Sequence, residues 1–129
     1  HLSDLPLKKT IREFVSELGV PDQTARARLV DAGFAVHDQL RPIHVLSHGE
    51  RARLYLLALQ VMRPNFYLLD EPTNHLDIAG QEKLEGAIID DGASCILVSH
   101  DRAFADAIAT TVLTIRKKRL VREPVAIPR

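Results

Sequence analysis

Two adjacent carboxylates, Asp70 and Glu71, follow the apolar run Phe66–Leu69 and are candidates for metal binding and for acid–base catalysis. The run is too short for a helix and predicts a strand buried on both faces of a sheet. Ligands of open α/β sheets bind at the carboxyl ends of strands. In an extended chain the two acids point to different targets, so one can hold Mg²⁺ through water while the other orients or deprotonates an attacking water. For the pair taken alone, the alternative is that the two acids have no catalytic role and lie at the solvent-exposed end of a strand.

A histidine occupies the equivalent place after the second apolar run. His100 follows the predicted strand Cys95–Ser99. If the two strands are neighbours, His100 reaches the same sheet edge as Glu71 and can contact a phosphate oxygen or the attacking water. A surface histidine without a catalytic role is the alternative. Ser99, His100 and Asp101 do not form a hydrolase triad, because consecutive residues cannot align nucleophile, base and orienting acid.

The segment Ser47–Glu50 has the spacing of a helix capping box. The amides and dipole of a helix amino terminus attract anions, and Gly49 permits close approach of the backbone to a phosphate. Any capped helix offers this much, so the signal is weak in isolation. His44 and His48 have a spacing found in metal sites, but the helix begins between them and no further ligands accompany them, which disfavours a metal site.

The elements that position these residues follow from apolar periodicity and from turn residues. Helices are predicted near residues 11–18, 22–33, 50–62, 78–89 and 101–108, and strands at 66–69, 95–99, 112–115 and around 120–121. The second helix is expected to turn Ala25, Leu29 and Val30 inward. Strands that alternate with helices and are continuously apolar indicate a parallel sheet in an α/β fold, preceded by a helical region.

Three motifs in fixed order resemble those of the ATP-binding-cassette (ABC) ATPases: Leu46–Glu50, Pro64–Asp77 and Leu97–Arg102. The sequence Glu-Pro-Thr-Asn-His-Leu-Asp at residues 71–77 resembles the corresponding motif of the F-type subgroup, whose members have paired cassettes and no membrane domain. The resemblance covers nearly the whole chain. It implies the carboxyl-terminal half of a P-loop-type nucleotide-binding domain, with a helical subdomain at residues 1–46 and the signature helix and parallel-sheet core at 47–129.

The resemblance also implies roles for individual residues, with ATP and Mg²⁺ as cofactors. Asp70 matches the Walker B aspartate that holds Mg²⁺ through water, Glu71 the catalytic glutamate, and His100 the switch histidine at the γ-phosphate. Asp77 matches the D-loop aspartate at the interface with a second cassette, in the same chain or in a dimer. The signature motif closes over the partner cassette's ATP and is matched by Ser47, His48, Gly49 and Glu50.

Two departures from the family pattern matter. The signature of the family reads Leu-Ser-Gly-Gly-Glu, and His48 replaces its first glycine, so that an imidazole clashes with the partner's phosphate or donates to it. The Walker A pattern Gly-x4-Gly-Lys-Ser/Thr is absent from these 129 residues. The amides and lysine of that loop normally cradle the β- and γ-phosphates. Without them, Asp70 and Glu71 repel ATP, and we expect this chain alone to be inactive and its sheet to keep an unpaired edge.

The leading hypothesis is an ATP-hydrolysing F-type factor whose paired cassettes act on the ribosome, in translation or in antibiotic resistance. The alternatives are a non-enzymatic half-cassette that offers its signature motif to a partner, and the cassette of an ABC transporter. Seventeen basic and seventeen acidic residues balance, so net charge indicates neither a nucleic-acid nor a membrane surface. With one cysteine and no apolar stretch of membrane-spanning length, the sequence predicts a cytoplasmic protein. The basic run 116–119 predicts a solvated turn, although RNA contact by residues 116–129 is an alternative.

Overall fold

The computed structural model describes residues 5–124 as a mixed chain of helices and strands. The helices are α1 (Ile11–Ser16), α2 (Asp22–Asp31), α3 (His48–Met62), α4 (Ile78–Asp90) and α5 (Arg102–Ile108). The strands are β1 (Phe66–Asp70), β2 (Ser94–Val98), β3 (Thr111–Arg116) and β4 (Arg119–Pro124). Short 3-10 turns occupy Val36–Asp38, Ile43–Val45 and Pro72–His75. Every predicted helix and strand is therefore present, with small shifts at the ends.

Reciprocal side-chain caps fix the starts of two helices, as the spacing predicts. Thr10 Oγ1 accepts from the Glu13 amide at 3.2 Å, and the Glu13 carboxylate accepts from the Thr10 amide at 2.8 Å. Ser47 and Glu50 repeat the arrangement at 3.1 and 2.8 Å. Because the cap lies at Ser47, α3 begins at His48, two residues before the predicted start at Glu50.

A first hydrophobic core lies among α1, α2 and α3. Its buried members are Leu5, Ile11, Val15, Ala25, Leu29, Phe34, Ile43, Leu46, Leu54 and Leu57. In α2, Ala25 and Leu29 are buried as predicted, but Val30 is 48% exposed. The prediction for Val30 is wrong because Ala25 and Leu29 are four residues apart on one helix face, and the next residue turns away from it.

A parallel pair of strands forms the second part of the fold. β1 and β2 pair in register from Phe66 with Ser94 to Asp70 with Val98, which confirms the predicted parallel sheet. The second hydrophobic core joins this sheet to α3, α4 and α5, and its buried members are Leu56, Tyr67, Leu69, Leu84, Ile88 and Phe104. Cys95 is only partly buried, and this burial raises the pKa of its thiol.

The prediction that the first strand is buried on both faces is wrong, and β2 has no fully buried residue. Along β1, Tyr67 and Leu69 are 2% and 5% exposed, whereas Phe66 and Leu68 are 52% and 74% exposed. The residues of α3, α4 and α5 in the second core pack with Tyr67 and Leu69, so they cover one face only. Within residues 5–124 the other face, which also carries half-exposed Ile96 and Val98, remains open. We call this surface, made by Phe66, Leu68, Ile96 and Val98, the open sheet face.

An antiparallel hairpin, β3 and β4, follows α5 and confirms the two predicted strands. Its turn residues Lys117 and Lys118 have φ angles of 49° and 63° and are exposed, in agreement with the predicted solvated turn. Arg116 forms an ion pair of 2.8 Å with Glu123. The last part of the arginine-rich end, residues 125–129, lies outside the described residues. In the described part of the chain, every helix is too short or too polar to cross a membrane.

Candidate functional site

The carboxyl ends of β1 and β2 place the two acids at one edge of the sheet. Asp70 is the last residue of β1 and pairs with Val98, the last residue of β2. The Glu71 amide donates to the Val98 carbonyl at 2.8 Å, which extends the pairing by one residue. Glu71 then adopts a left-handed conformation, with φ 46° and ψ 52°, and Pro72 follows. A residue with a Cβ pays about 1–2 kcal/mol for this conformation.

This conformation corrects one expectation. The two acids were expected to diverge because they alternate along an extended chain, but only Asp70 belongs to the strand. Glu71 instead forms the turn between β1 and the 3-10 turn Pro72–His75, whose Asn74 amide donates to the Glu71 carbonyl at 3.3 Å. The direction of the Glu71 side chain is therefore set by a backbone turn.

The predicted meeting of Glu71 and His100 is confirmed. His100 Nε2 lies 3.2 Å from Glu71 Oε1, and the His100 amide donates to Glu71 Oε2 at 3.2 Å. The histidine side chain is 98% exposed, whereas that of Glu71 is 22% exposed. A contact with so exposed a ring contributes little to stability. Its effect is positional, since it holds a carboxylate next to an imidazole that faces solvent.

The start of α3 holds a second group of predicted site residues. Besides accepting from the Ser47 amide, the Glu50 carboxylate accepts from Arg41 Nη1 at 3.2 Å. The pKa of Glu50 lies below its ordinary value, chiefly because of the hydrogen bond from the Ser47 amide and further because of Ser47 and Arg41, while burial opposes the shift. Glu50 is thus held as an anion that fixes the helix start.

Gly49 faces open space in the described chain. A Cβ added there would meet no atom within 4 Å beyond its chain neighbours and the backbone of its own helix. Packing inside the chain therefore does not require glycine at this position. Glycine also lowers helix stability by up to about 1 kcal/mol relative to alanine, so neither packing nor helix stability explains its presence. The first amides of a helix have no acceptor within the helix, so the open space lies beside backbone donors.

Two histidines meet across the site, a contact that sequence analysis missed. The rings of His48, at the start of α3, and His75, at the end of the 3-10 turn Pro72–His75, are stacked with centroids 5.4 Å apart and an interplanar angle of 22°. Asp77 lies just beyond and caps α4 by accepting from the Gly80 amide at 2.8 Å. Periodicity gave no signal for the histidine contact, because it depends on how α3 packs beside the end of β1.

A cavity of about 260 Å³ lies between α3 and the end of β1. Its mainly apolar wall includes Tyr55, Leu59 and Leu84, while Asp70, Glu71 and His75 stand on its polar side. The residues after β1 and one face of α3 therefore line the same cavity. His100, 98% exposed, contacts Glu71 from the end of β2.

The donor set at the strand ends suits Mg²⁺ shared with a phosphate. Among residues 5–124, no three or more His, Cys, Asp or Glu side chains are arranged to hold a metal by themselves. Mg²⁺ commonly takes one or two protein carboxylates and completes its shell with water and substrate phosphates. Asp70 and Glu71 offer such oxygen ligands.

Comparison with known proteins agrees with these features. The sequence model of the ABC transporter family matches residues 3–74, which is more than half of the chain. The putative ATP-binding protein YdiF of Bacillus subtilis is 43% identical over 114 residues, covering 88% of this chain and 18% of that protein. The energy-dependent translational throttle protein EttA of Escherichia coli K12 is 40% identical over 111 residues, covering 81% of this chain and 20% of that protein. This chain thus spans about a fifth of the length of these relatives.

The fold comparison points the same way. An ATP-binding cassette solved as a dimer in a post-hydrolysis state, bound to ADP and Pi, superimposes with a TM-score of 0.70 at 20% sequence identity. The match covers 95% of this chain and 59% of that cassette. Motif order, strand pairing and family match therefore agree: the chain belongs to the ABC family of ATP-binding cassettes.

Proposed function

We propose that this chain supplies the Walker B, D-loop, switch-histidine and signature parts of an F-type ABC ATPase. A Walker A loop from outside these 129 residues completes the nucleotide site. The observation that carries the proposal is the contact between Glu71 and His100, 3.2 Å apart at the ends of two parallel strands. In this assignment residues 1–46 form the helical subdomain, and residues 47–129 form the signature helix and the ATPase core.

The roles at the strand ends follow from the chemistry of the side chains. Asp70 holds Mg²⁺ through water, and the ion, when bound, neutralises charge on the phosphates. Glu71 accepts a proton from the attacking water or orients it, and its carboxylate is held in place by the backbone amide of His100. The exposed imidazole of His100 is available to donate to the γ-phosphate.

The signature residues Ser47, His48, Gly49 and Glu50 act on the nucleotide of a second cassette. The capping box orders the first turn of α3, and the space beside Gly49 leaves room for a phosphate. Asp77 faces the same interface, where it also caps α4. The partner is therefore a second ABC cassette, in the same chain or in a dimer.

The chain alone is proposed to be inactive. Asp70 and Glu71 present negative charge to a polyanion, and the Walker A amides and lysine that would offset this repulsion are absent from the sequence. ATP and Mg²⁺ are the cofactors of the complete site. In the complete protein, closure of two cassettes on ATP does mechanical work.

That work is proposed to be done on the ribosome, in the cytoplasm. Support comes from the translational throttle proteins, which are 38–40% identical to this chain. The wording of residues 71–77 also favours the F-type over the cassette of a membrane transporter. A second candidate, a non-enzymatic half-cassette that lends its signature motif to a partner, needs only the capped start of α3 and the open space beside Gly49.

Two protein forms separate these candidates. The first is this chain as it stands. The second is a chimera in which this chain replaces the matching 114-residue segment of Bacillus subtilis YdiF, so that the remainder of YdiF surrounds it. Calorimetric titration with Mg·ATP is expected to show no binding by the chain alone. The chimera is expected to bind Mg·ATP and release phosphate.

A folded chimera that binds ATP without hydrolysing it would overturn the ATPase proposal in favour of the non-enzymatic module. Micromolar binding by the chain alone would overturn the proposed need for an external Walker A loop. Co-sedimentation of the chimera with ribosomes, compared with and without ATP, tests the partner. Absence of ATP-dependent co-sedimentation would contradict the ribosomal role while leaving the ATPase assignment in place.

A further inference from the structure

The stacked histidines connect two segments that are far apart in sequence. His48 is the first residue of α3, and His75 ends the 3-10 turn after β1. Their centroid distance of 5.4 Å falls in the range of attractive ring pairs, and their planes are inclined by only 22°. We call residues 47–50 the signature turn. The contact is therefore a defined ring stack between the signature turn and the segment that leads to Asp77.

Both ends of the stack rest on ordered backbone. Beside His48, the capping box closes two hydrogen bonds between Ser47 and Glu50. Beside His75, Thr73 is buried, and its carbonyl accepts from the Leu76 amide at 3.2 Å. Since neither ring is attached to a loose segment, a contact between them constrains the two segments relative to each other.

We propose that His75 is a positioning residue for the signature turn, and that the His48–His75 stack makes this turn and the segment Pro72–Asp77 move as one body. The functional meaning of the stack rests on the proposed function, in which both segments face the partner cassette. The stack itself is a property of this chain. His48 is thereby assigned a role toward its own chain: its ring packs on His75.

The identity of residue 48 carries the argument. The signature pattern that the chain resembles has glycine here, and glycine offers no ring for His75 to contact. With His48 the two segments gain a side-chain link in addition to the shared packing of α3 and β1 in the second core. Because both rings are exposed to solvent, the link contributes modestly and can be broken without unfolding the chain.

The first test is structural and uses the 129-residue chain alone. Imidazole carbon–proton NMR correlations report ring-current shifts from a stacked neighbour. His48→Gly is expected to move the His75 resonances toward those of an isolated histidine, and His48→Phe is expected to preserve a ring-current shift. His37→Ala, at an exposed residue that contacts Asp38, is the matched control and should leave His75 unchanged. His75 resonances that are the same in the wild type and in His48→Gly would overturn the proposal.

The second test is functional and uses the YdiF chimera. His48→Gly, His75→Ala and the double variant are compared by the ATP concentration that gives half-maximal closure, read by fluorescence transfer between labels on the two cassettes. His75→Ala is expected to alter this concentration by about two- to tenfold in the parent and to have no further effect in the His48→Gly background, where the ring contact is already absent. Factors that multiply in the double variant would overturn the proposal. A chimera that never closes would contradict the proposed function, and the NMR result would still decide the stack.

Discussion

Glu71 and His100 are joined twice, because the ring nitrogen Nε2 and the backbone amide of His100 each lie 3.2 Å from a different oxygen of the Glu71 carboxylate. The amide contact is set by the backbone after β2, so it persists whatever the rotamer of the ring. The ring contact is free to break, since the side chain is 98% exposed. One residue thus supplies both a fixed and a movable partner to the proposed catalytic carboxylate.

Replacing Glu71 by glutamine in the chimera is expected to retain ATP binding and to lower turnover by about 10²–10⁴-fold, because the amide cannot accept the proton of the attacking water. Phosphate release and calorimetric binding are measured on the same preparation. Glu82→Gln, an exposed position on α4, is the control and should turn over normally. Turnover of Glu71→Gln within a few-fold of the parent would show that the base lies elsewhere.

Removing the cap of α3 is expected to destabilise the chain. Ser47→Ala deletes the hydroxyl that accepts from the Glu50 amide at 3.1 Å, which costs about 1 kcal/mol. Urea denaturation of the 129-residue chain measures the loss. Ser47→Asp restores a capping oxygen and should recover most of the free energy of unfolding. Equal stability of the alanine and aspartate variants would argue against a capping role.

Acid is expected to weaken the same helix start through Glu50. Its pKa in the folded chain is lowered from 4.5, chiefly by the Ser47 amide, so folding favours the carboxylate. The resulting stabilisation is complete above pH 4.5 and is lost as the pH falls through the folded-state pKa. The gap in unfolding free energy between the parent chain and Glu50→Gln should therefore be widest at neutral pH and shrink on acidification. A gap that stays constant with pH, or that matches that of Glu82→Gln, would contradict this origin.

Neighbouring leucines of β1 are expected to respond in opposite ways to truncation. Leu69 is 5% exposed in the second core, and Leu69→Ala should cost about 2–5 kcal/mol. Leu68 is 74% exposed, and Leu68→Ala should change stability by no more than about 0.5 kcal/mol. Urea denaturation of both variants checks the alternation. Similar losses for the two would mean that Leu68 is buried in solution.

The open sheet face is expected to promote self-association of the chain, since exposed apolar patches drive contacts between molecules. Placing lysines at Leu68 and Ile96 together should lower the sedimentation coefficient at high concentration toward that of the monomer. Val36→Lys serves as the control, because Val36 is an exposed apolar residue outside the open sheet face. Unchanged association in the double variant would place the contact on another surface.

Local chemistry explains why much of the fold was predictable. The capping boxes at Thr10 and Ser47 involve residues three apart, so their spacing suffices to predict them. The contact of Glu71 with His100 required one further step, the assumption that two apolar strands are parallel neighbours. That assumption is strong because such strands usually adjoin.

Other features depend on surroundings that periodicity does not encode. An apolar run predicts burial on both faces, but Leu68 is exposed because the helices of residues 5–124 pack against one face only. The left-handed conformation of Glu71 is unusual for a residue with a Cβ, and no sequence pattern around residue 71 predicts it. The stack of His48 on His75 depends on how two distant elements meet in space.

The sharing of α3 between the two hydrophobic cores has a consequence for cooperativity. Leu54 and Leu57 belong to the first core and Leu56 to the second, so one helix of 15 residues is buried in both. Losing either core exposes a flank of α3 and weakens the packing of the other. We therefore expect the chain to melt in a single transition, in which the turn at residues 47–50 loses its order together with both hydrophobic cores.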